Sequence, residues 1–196
     1  MDATSATLTV NVAKVTLNIS AIANNITYGQ NLVVSHVLNV GDAVGSVVYF
    51  VDGKRVGNSS VGSSINVSAL KAGLHTVFVK LVDDVNYVDA TSATLTVNVA
   101  KVTLNISAIV SDVVYGQDLV VSHVLNVGDA VGSVVYFVDG EMVGNSSVGS
   151  SINVSGLKAG LHTVFVKLVD DVNYVDATSD TLTVNVAKQR DRKSVV

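Results

Sequence analysis

Asp83, Asp84 and Asp89 fall within one short stretch, and Asp42 is expected at the same pole of the fold. Hard cations collect about six to eight carboxylate and carbonyl oxygens. These four residues are therefore the candidate ligands of a weak Ca2+ site. The alternative is a solvated polar loop that keeps the molecule soluble. The histidines are His36, His75, His123 and His162. His36 is in phase with Leu32, Val34 and Leu38, which directs it inward, where a buried imidazole needs a hydrogen-bond partner. His36 and His75 alone are too few ligands for a transition-metal site. No nucleophile motif accompanies them for Ser–His–Asp chemistry. The chain reads as non-enzymatic, with no catalytic residue and no resident cofactor.

Other side chains point to modification or contact. N-x-S/T sequons stand at Asn18, Asn25, Asn58, Asn66, Asn105, Asn145 and Asn153. Strand phase turns Asn18 and Asn66 outward and places Asn25 and Asn58 in turns, so a glycan at any of them stays clear of a core. A chain rich in Asn, Ser and Thr also makes sequons by chance. Val48, Phe50, Phe78 and Val82 fall on the outward phase of two neighbouring strands, and a contiguous apolar face of that kind marks a contact site. A Lys–Asn isopeptide bond needs a buried lysine beside a carboxyl group. Lys80 is on the outward phase and the single glutamate, Glu141, lies in a turn, so that crosslink is not expected.

What positions these residues is a repeat. Residues 2–88 recur as residues 89–175, an offset of 89 − 2 = 87, and a third copy opens at Asp176. The two full copies differ at nine positions: 23, 24, 25, 26, 27, 31, 54, 55 and 69 of the first. A block recurring this closely is one folding module used in series. Its length suits a small β-sandwich, and its wealth of valine, with Thr, Ile and Tyr, favours strands. The 196 residues contain no Pro, Cys or Trp, which excludes disulfides and thiolate metal sites. Only 12 basic residues stand against 16 acidic ones, a net charge of −4. No basic stripe exists to neutralise phosphates, which argues against nucleic acid as a partner. The longest apolar runs, such as residues 47–51, are too short to insert into a membrane as a helix.

Seven strand-like runs can be read in the first copy, at residues 15–20, 31–39, 45–51, 55–61, 63–67, 74–82 and 93–99. Asp52-Gly53 is a strong hairpin turn, since both residues tolerate positive φ. The fold class is all-β: two tandem Ig-like seven-stranded β-sandwiches. The expected inward set is Val15, Leu17, Ile19, Leu32, Val34, Leu38, Val47, Tyr49, Val51, Ile65, Val67, Val77, Val79, Leu81, Leu95, Val97 and Val99. Domain one is assigned to residues 14–100 and domain two to residues 101–188. Residues 1–13 are the orphan last strand of a truncated preceding repeat, expected to be poorly ordered or paired with a sheet edge. With only Ala100 and Lys101 between the last strand of one module and the first of the next, a stiff end-to-end rod is expected.

Tyr28-Gly29-Gln30, Gly45-Ser46-Val47-Val48-Tyr49-Phe50-Val51-Asp52-Gly53, Leu70-Lys71-Ala72-Gly73-Leu74-His75-Thr76-Val77 and Asp83-Asp84-Val85-Asn86-Tyr87 together resemble the bacterial and archaeal Ig-like repeats of large surface proteins. Methanogen adhesin-like proteins are the nearest of these. The resemblance implies an extracellular, cell-surface stalk or adhesive array. Many such repeats carry proline where Lys71 stands, and threonine at several of the outward apolar positions. The chain departs from the family at both.

The first functional expectation is a non-enzymatic structural spacer of a cell-surface adhesin-like protein, with neighbouring repeats of the same protein as its partners. A second is that the modules themselves bind a host-cell or glycan ligand through the outward apolar face or the loop tips. A third is a spacer of a secreted enzyme or a phage structural protein. Residues 189–196 form a tail, and residues 191–196 can be encoded as GAT CGG AAG AGC GTC GTG, a string matching a common sequencing adapter. Met1 stands where the later copies have Val88 and Val175. The sequence therefore reads as a translated metagenomic fragment of a longer protein, whose last six residues are an artefact; the alternative is a genuine basic tail.

Overall fold

Alternation of apolar and polar residues sends successive side chains to opposite faces of a strand, and it decides nearly every element here. The computed structural model describes residues 5–189. The chain divides into two compact units, the first taking in the residues up to 70 and residues 74–99, the second residues 71–73 and those from 100 onward. The first unit contains β1 (Ile19–Ala23), β2 (Ile26–Thr27), β3 (Leu32–Leu38), β4 (Ser46–Val51), β5 (Lys54–Ser60), β6 (Ile65–Val67), β7 (Gly73–Val82), β8 (Ala90–Thr91) and β9 (Leu95–Ala100). The second contains β10 (Ile106–Ile109), β11 (Val113–Val114), β12 (Leu119–Leu125), β13 (Ser133–Val138), β14 (Glu141–Ser147), β15 (Ile152–Val154), β16 (Gly160–Val169), β17 (Ala177–Thr178) and β18 (Leu182–Ala187).

In the first unit β1, β3 and β6 form a three-stranded sheet. The order β2-β9-β7-β4-β5, with β8 paired to β7, forms a six-stranded one. The second unit repeats both sheets, as β10-β12-β15 and as β11-β18-β16-β13-β14 with β17 on β16. The two sheets of the first unit close over one core. Leu17, Ile19, Ala21, Leu32, Val34 and Val67 come from one side, and Val47, Tyr49, Val51, Val77, Val79, Leu81 and Val97 from the other. Each unit is an all-β domain in which two sheets face each other across one core, the arrangement expected of an Ig-like sandwich.

The expectation of seven strands per module is corrected to nine. The additional elements, β2 and β8, are two residues each, too short to leave a periodic trace. The first strand also begins later than its sequence pattern suggests. Val15 is 60% exposed and makes only an isolated parallel bridge to Tyr87, while Ala21 takes the inward place. Leu38, Ile65 and Leu95 are half-buried at the rim. The remaining expected inward residues are buried.

The β4–β5 hairpin turns on Asp52 and Gly53, with φ of 51° and 74°, the pair of left-handed residues that matches strand twist. Gly45 is required for a different reason. A Cβ there would stand 2.6 Å from the Val82 carbonyl oxygen, so only glycine lets β4 start so close to the end of β7. Among the described residues no helix is long and apolar enough to cross a membrane. Residues 5–13 belong to no strand. Residues 1–4 of the expected orphan strand and the tail from residue 190 lie outside the described residues.

Candidate functional site

The loop after β7 exists because one carboxylate organises it. Asp84 is 2% exposed. Its Oδ2 accepts the backbone N–H groups of Val44 and Gly45 at 2.7 and 2.8 Å, and its Oδ1 accepts those of Asn86 and Tyr87 at 2.8 and 3.1 Å. The Asn86 N–H does most to hold the carboxyl below its usual range, against the pull of burial, with Val44, Gly45 and Tyr87 adding to it. Asp171 repeats the knot with Val131, Gly132, Asn173 and Tyr174. Burial pushes the Asp171 carboxyl up, and the four N–H donors outweigh it. Lys14 and Lys101 close the same loops by donating to the Asp84 and Asp171 carbonyl oxygens.

The other candidate calcium ligands are placed differently. Asp42 accepts the Tyr87 hydroxyl at 2.5 Å, which raises the Tyr87 pKa. Asp83 and Asp89 are exposed, Asp83 with φ of 56°. Asp84 has both oxygens committed to backbone donors. Among the described residues no group of three or more His, Cys, Asp or Glu is gathered as a metal cluster.

His36 does face Tyr49, whose hydroxyl lies 2.8 Å from Nδ1. The Gly62 N–H donates to Nε2 at 3.2 Å. Nε2 must therefore carry the lone pair, so the ring is neutral and Nδ1–H donates to the Tyr49 oxygen. The Tyr49 hydroxyl in turn donates to the Ser63 carbonyl at 3.0 Å, beside Ser59 Oγ at 2.8 Å. The chain of donors runs in one direction, from β3 through the core tyrosine to the β5–β6 turn. Burial depresses the His36 pKa and raises that of Tyr49, the Ser59 hydrogen bond opposing the latter. His123 and Tyr136 repeat the network, with Gly149, Ser146 and Ser150. The sequence marked His36 as inward. It did not single out Tyr49, although an inward tyrosine in phase with Val47 and Val51 carries the same demand for a partner.

His75 and His162 are pinned to the hairpin turns instead. His162 Nδ1 lies 2.7 Å from Asp139 Oδ2, and Nε2 lies 2.8 Å from the Lys158 carbonyl oxygen. Asp139 first and Lys158 second raise the His162 pKa, with burial opposing. Both ring nitrogens are spent, so this imidazole has no free nitrogen to act as a base. Asp52 and His75 make the same 2.7 Å contact. The polar groups that could resemble catalytic machinery hold turns together, and no buried side-chain nitrogen or oxygen among the described residues lacks a hydrogen-bond partner.

All seven sequon asparagines are exposed. Asn25 does more than cap a loop: its Oδ1 accepts the Asn98 N–H at 2.8 Å, tying the β1–β2 loop to β9. In the second copy Asp112 supplies the equivalent oxygen to Asn185 at 2.8 Å. The sequon is lost there while the hydrogen bond is kept.

The outward apolar residues meet as expected from strand phase. Phe50 on β4 is directly opposite Phe78 on β7, and Val48 is opposite Lys80. The two rings stack with centroids 4.6 Å apart and planes within 3°. Lys80 Nζ lies 5.5 Å from the Phe50 centroid and 6.0 Å from that of Phe78, within cation–π range. Val48, Phe50, Phe78 and Val82 are half-buried. Phe137, Phe165 and Lys167 reproduce the cluster in the second unit. There Met142, 59% exposed, stands opposite Phe137 where the first unit has Arg55 opposite Phe50.

No family model and no curated protein matches this chain. Among solved structures, the chain is similar to the fibronectin(III)-like modules of Clostridium thermocellum CbhA, at 15% identity and a TM-score of 0.40, covering 91% of this chain and 98% of that one. It is similar to the FN1–FN3 domains of chicken CNTN1, at 14% identity and a TM-score of 0.36, covering 91% of this chain and 65% of the other. It is also similar to the three N-terminal domains of the outer capsid protein Hoc of bacteriophage RB49, at 12% identity and a TM-score of 0.33, covering 87% and 59%.

Proposed function

We propose that the two modules are non-enzymatic structural spacers, repeats of a cell-surface, adhesin-like protein that hold another domain away from the envelope. The observation that carries this reading is where the copies differ and where they do not. The Asp84 and Asp171 knots, the His–Tyr networks and the buried strand residues are duplicated contact for contact. The changes fall at loops, hairpin tips and rim positions such as residues 24, 25, 54 and 55. Each copy keeps what makes it fold, and among the described residues no three His, Cys, Asp or Glu are gathered as a metal cluster. A stalk needs repeated, self-sufficient bodies joined by few linker residues, and Lys101 alone separates β9, which ends at Ala100, from the Val102 bridge of the next copy. Solution scattering tests the proposal. A two-module chain that behaves as one extended, narrow distribution supports it, and a compact or freely jointed pair removes it.

A second reading is favoured by the stacked phenylalanines. Both copies retain the Phe–Phe–Lys cluster on an outer sheet face, where folding alone does not require aromatic residues. In this reading the modules contact a glycan or protein partner through Phe50, Phe78 and their counterparts. Phe50→Ser with Phe78→Thr, combined with Phe137→Ser and Phe165→Thr at the second copy of the cluster, then weakens binding to a glycan array or to cells without unfolding the chain. Equal binding by the variant rejects it.

A further inference from the structure

Of the nine positions at which the two copies differ, six are residues 23–27 and 31, which become residues 110–114 and 118, and two are residues 54 and 55, which become residues 141 and 142. The first group surrounds a groove of about 350 Å3 in the second unit. Ile109, Val120 and Ser122 line it from β10 and β12, and Val110, Val113 and Asp118 line it from the segment between those strands. The strand residues are unchanged from Ile22, Val33 and Ser35 of the first copy, whereas Val110, Val113 and Asp118 replace Ala23, Ile26 and Asn31. Ile109 and Val120 are 50% and 52% exposed, so the groove offers apolar surface.

The exchanges at the two places are opposite in charge. Asn25 and Asn31 become Asp112 and Asp118, so the second unit gains one carboxylate lining the groove and one beside it. Lys54 and Arg55 become Glu141 and Met142, so the cationic hairpin tip belongs to the first unit. Asp52 in that turn is committed to the Thr76 N–H at 2.9 Å and to His75 at 2.7 Å. Lys54 and Arg55 are exposed, and the Arg55 guanidinium donates to a neutral acceptor, Asn58 Oδ1, at 3.1 Å.

We propose that the Lys54-Arg55 tip of one molecule docks in the Asp118 groove of another, joining the first unit of one copy of this chain to the second unit of the next. An arginine stem covers apolar surface while its head stays polar. Here the stem lies on Ile109, Val113 and Val120 and the guanidinium meets the Asp118 carboxylate, a stronger acceptor than the Asn58 amide. The pairing has a direction. Glu141 is repelled by Asp118, and Asn31 gives the first copy no carboxylate to offer, so only the first tip and the second groove are complementary. A hairpin tip covers little area, which places the contact among transient ones, below about 1,200 Å2. The contact adds chain-to-chain association to the spacer reading and does not rest on it.

The mass of the full chain is measured by light scattering at about 1 mM and at about 1 μM, concentrations on either side of a weak dissociation constant. Each is repeated in about 0.01 M and about 1 M salt, where charges are screened over about 30 and about 3 Å. Association at the higher concentration in low salt, lost on dilution and weakened by salt, is expected. Lys54→Glu with Arg55→Glu, or Asp118→Lys alone, weakens it by about tenfold or more, because attraction is replaced by like-charge repulsion. All three side chains are exposed, so both units stay folded. The first variant keeps its groove and the second keeps its tip, so an equimolar mixture of the two associates at a concentration where neither does alone. Monomer in the concentrated low-salt sample, association indifferent to salt or to either variant, or a mixture that stays monomeric would each overturn the proposal.

Discussion

Tyr49 Oη lies 2.8 Å from His36 Nδ1, and Tyr136 repeats the distance to His123. The tyrosine is fully buried yet has its oxygen shared between an imidazole, a serine and a carbonyl. Tyr49→Phe strands the His36 N–H and the Ser63 carbonyl without changing the shape of the core. A buried polar group left unpaired costs about 1–3 kcal/mol, so a loss of that size is expected in urea unfolding of the first module. Tyr136→Phe costs the second module the same. A neutral outcome for both shows that water replaces the tyrosine oxygen at no cost.

The same network sets a pH dependence. Burial holds His36 and His123 below the ordinary histidine value, so the unfolded chain binds the proton more readily than the folded one. The stability these groups contribute is complete above the unfolded value of about 6.5. It is lost as pH falls from there towards the folded pKa. Protonation also turns Nε2 into a donor facing the Gly62 N–H. The Gly62 and Gly149 amide resonances are expected to titrate together with these imidazoles below that value. Amides that ignore the titration contradict the assigned tautomer.

His162 slopes the other way. Asp139 and Lys158 raise its pKa, so its contribution is full below about 6.5 and is lost as pH rises through the folded value. Asp139→Asn removes the main cause. The His162 titration midpoint, read by NMR, is expected to fall towards the free value while that of His123 stays put.

The strand periods and the Asp52-Gly53 turn made the sandwich legible before any coordinate. They placed β3, β4, β7 and β9 within one or two residues, and they put Phe50, Phe78 and Lys80 on the outer face. Local sequence did not reveal β2 and β8, because two residues carry no period and their pairing is decided by partners distant in the chain. Asp84 was read as a metal-ligand candidate, since an aspartate-rich loop looks the same whether its carboxylates face a cation or backbone N–H groups. The distinction rests on Val44 and Gly45, 40 and 39 residues away, which only the closed fold brings near.

Asp171→Ala tests that knot in the second module. Four backbone N–H groups lose a charged acceptor at once, so the Tm of this module is expected to fall by more than for any single surface substitution. Asp171→Asn retains one acceptor oxygen and falls less. The wild-type carboxyl is depressed in the fold, so its contribution is present above the unfolded value of about 3.9 and disappears as pH drops through the folded one. Acid unfolding of Asp171→Asn should lack that component.

Ala69 and Gly156 occupy the same turn, at φ of 60° and 74°. The left-handed region costs a residue with a Cβ about 1–2 kcal/mol, and the greater freedom of glycine in the unfolded chain returns part of that. Ala69→Gly is expected to stabilise the first module by about 0.5–1 kcal/mol, and Gly156→Ala to destabilise the second by a similar amount. Urea midpoints of the two reciprocal variants check both signs, and movement in the same direction would show that neighbouring residues, not the backbone angle, control this turn.

The Phe50–Phe78 pair separates a folding role from a binding role. Stacked aromatic pairs contribute about 0.5–1.5 kcal/mol beyond the area they bury, so a double-mutant cycle of Phe50→Ala and Phe78→Ala should show coupling of that order in unfolding experiments. Lys80→Ala, which removes a cation about 5–6 Å from both rings, should weaken the coupling slightly. If the pair served stability alone, Phe50→Leu with Phe78→Leu would restore most of the loss by refilling the face with aliphatic surface. Binding discriminates the roles: a partner that reads flat aromatic edges loses affinity in the leucine variant even though the module is as stable as before. Stability recovered together with unchanged binding to glycans and cells leaves the spacer reading alone, and stability recovered with binding lost assigns this face to a partner.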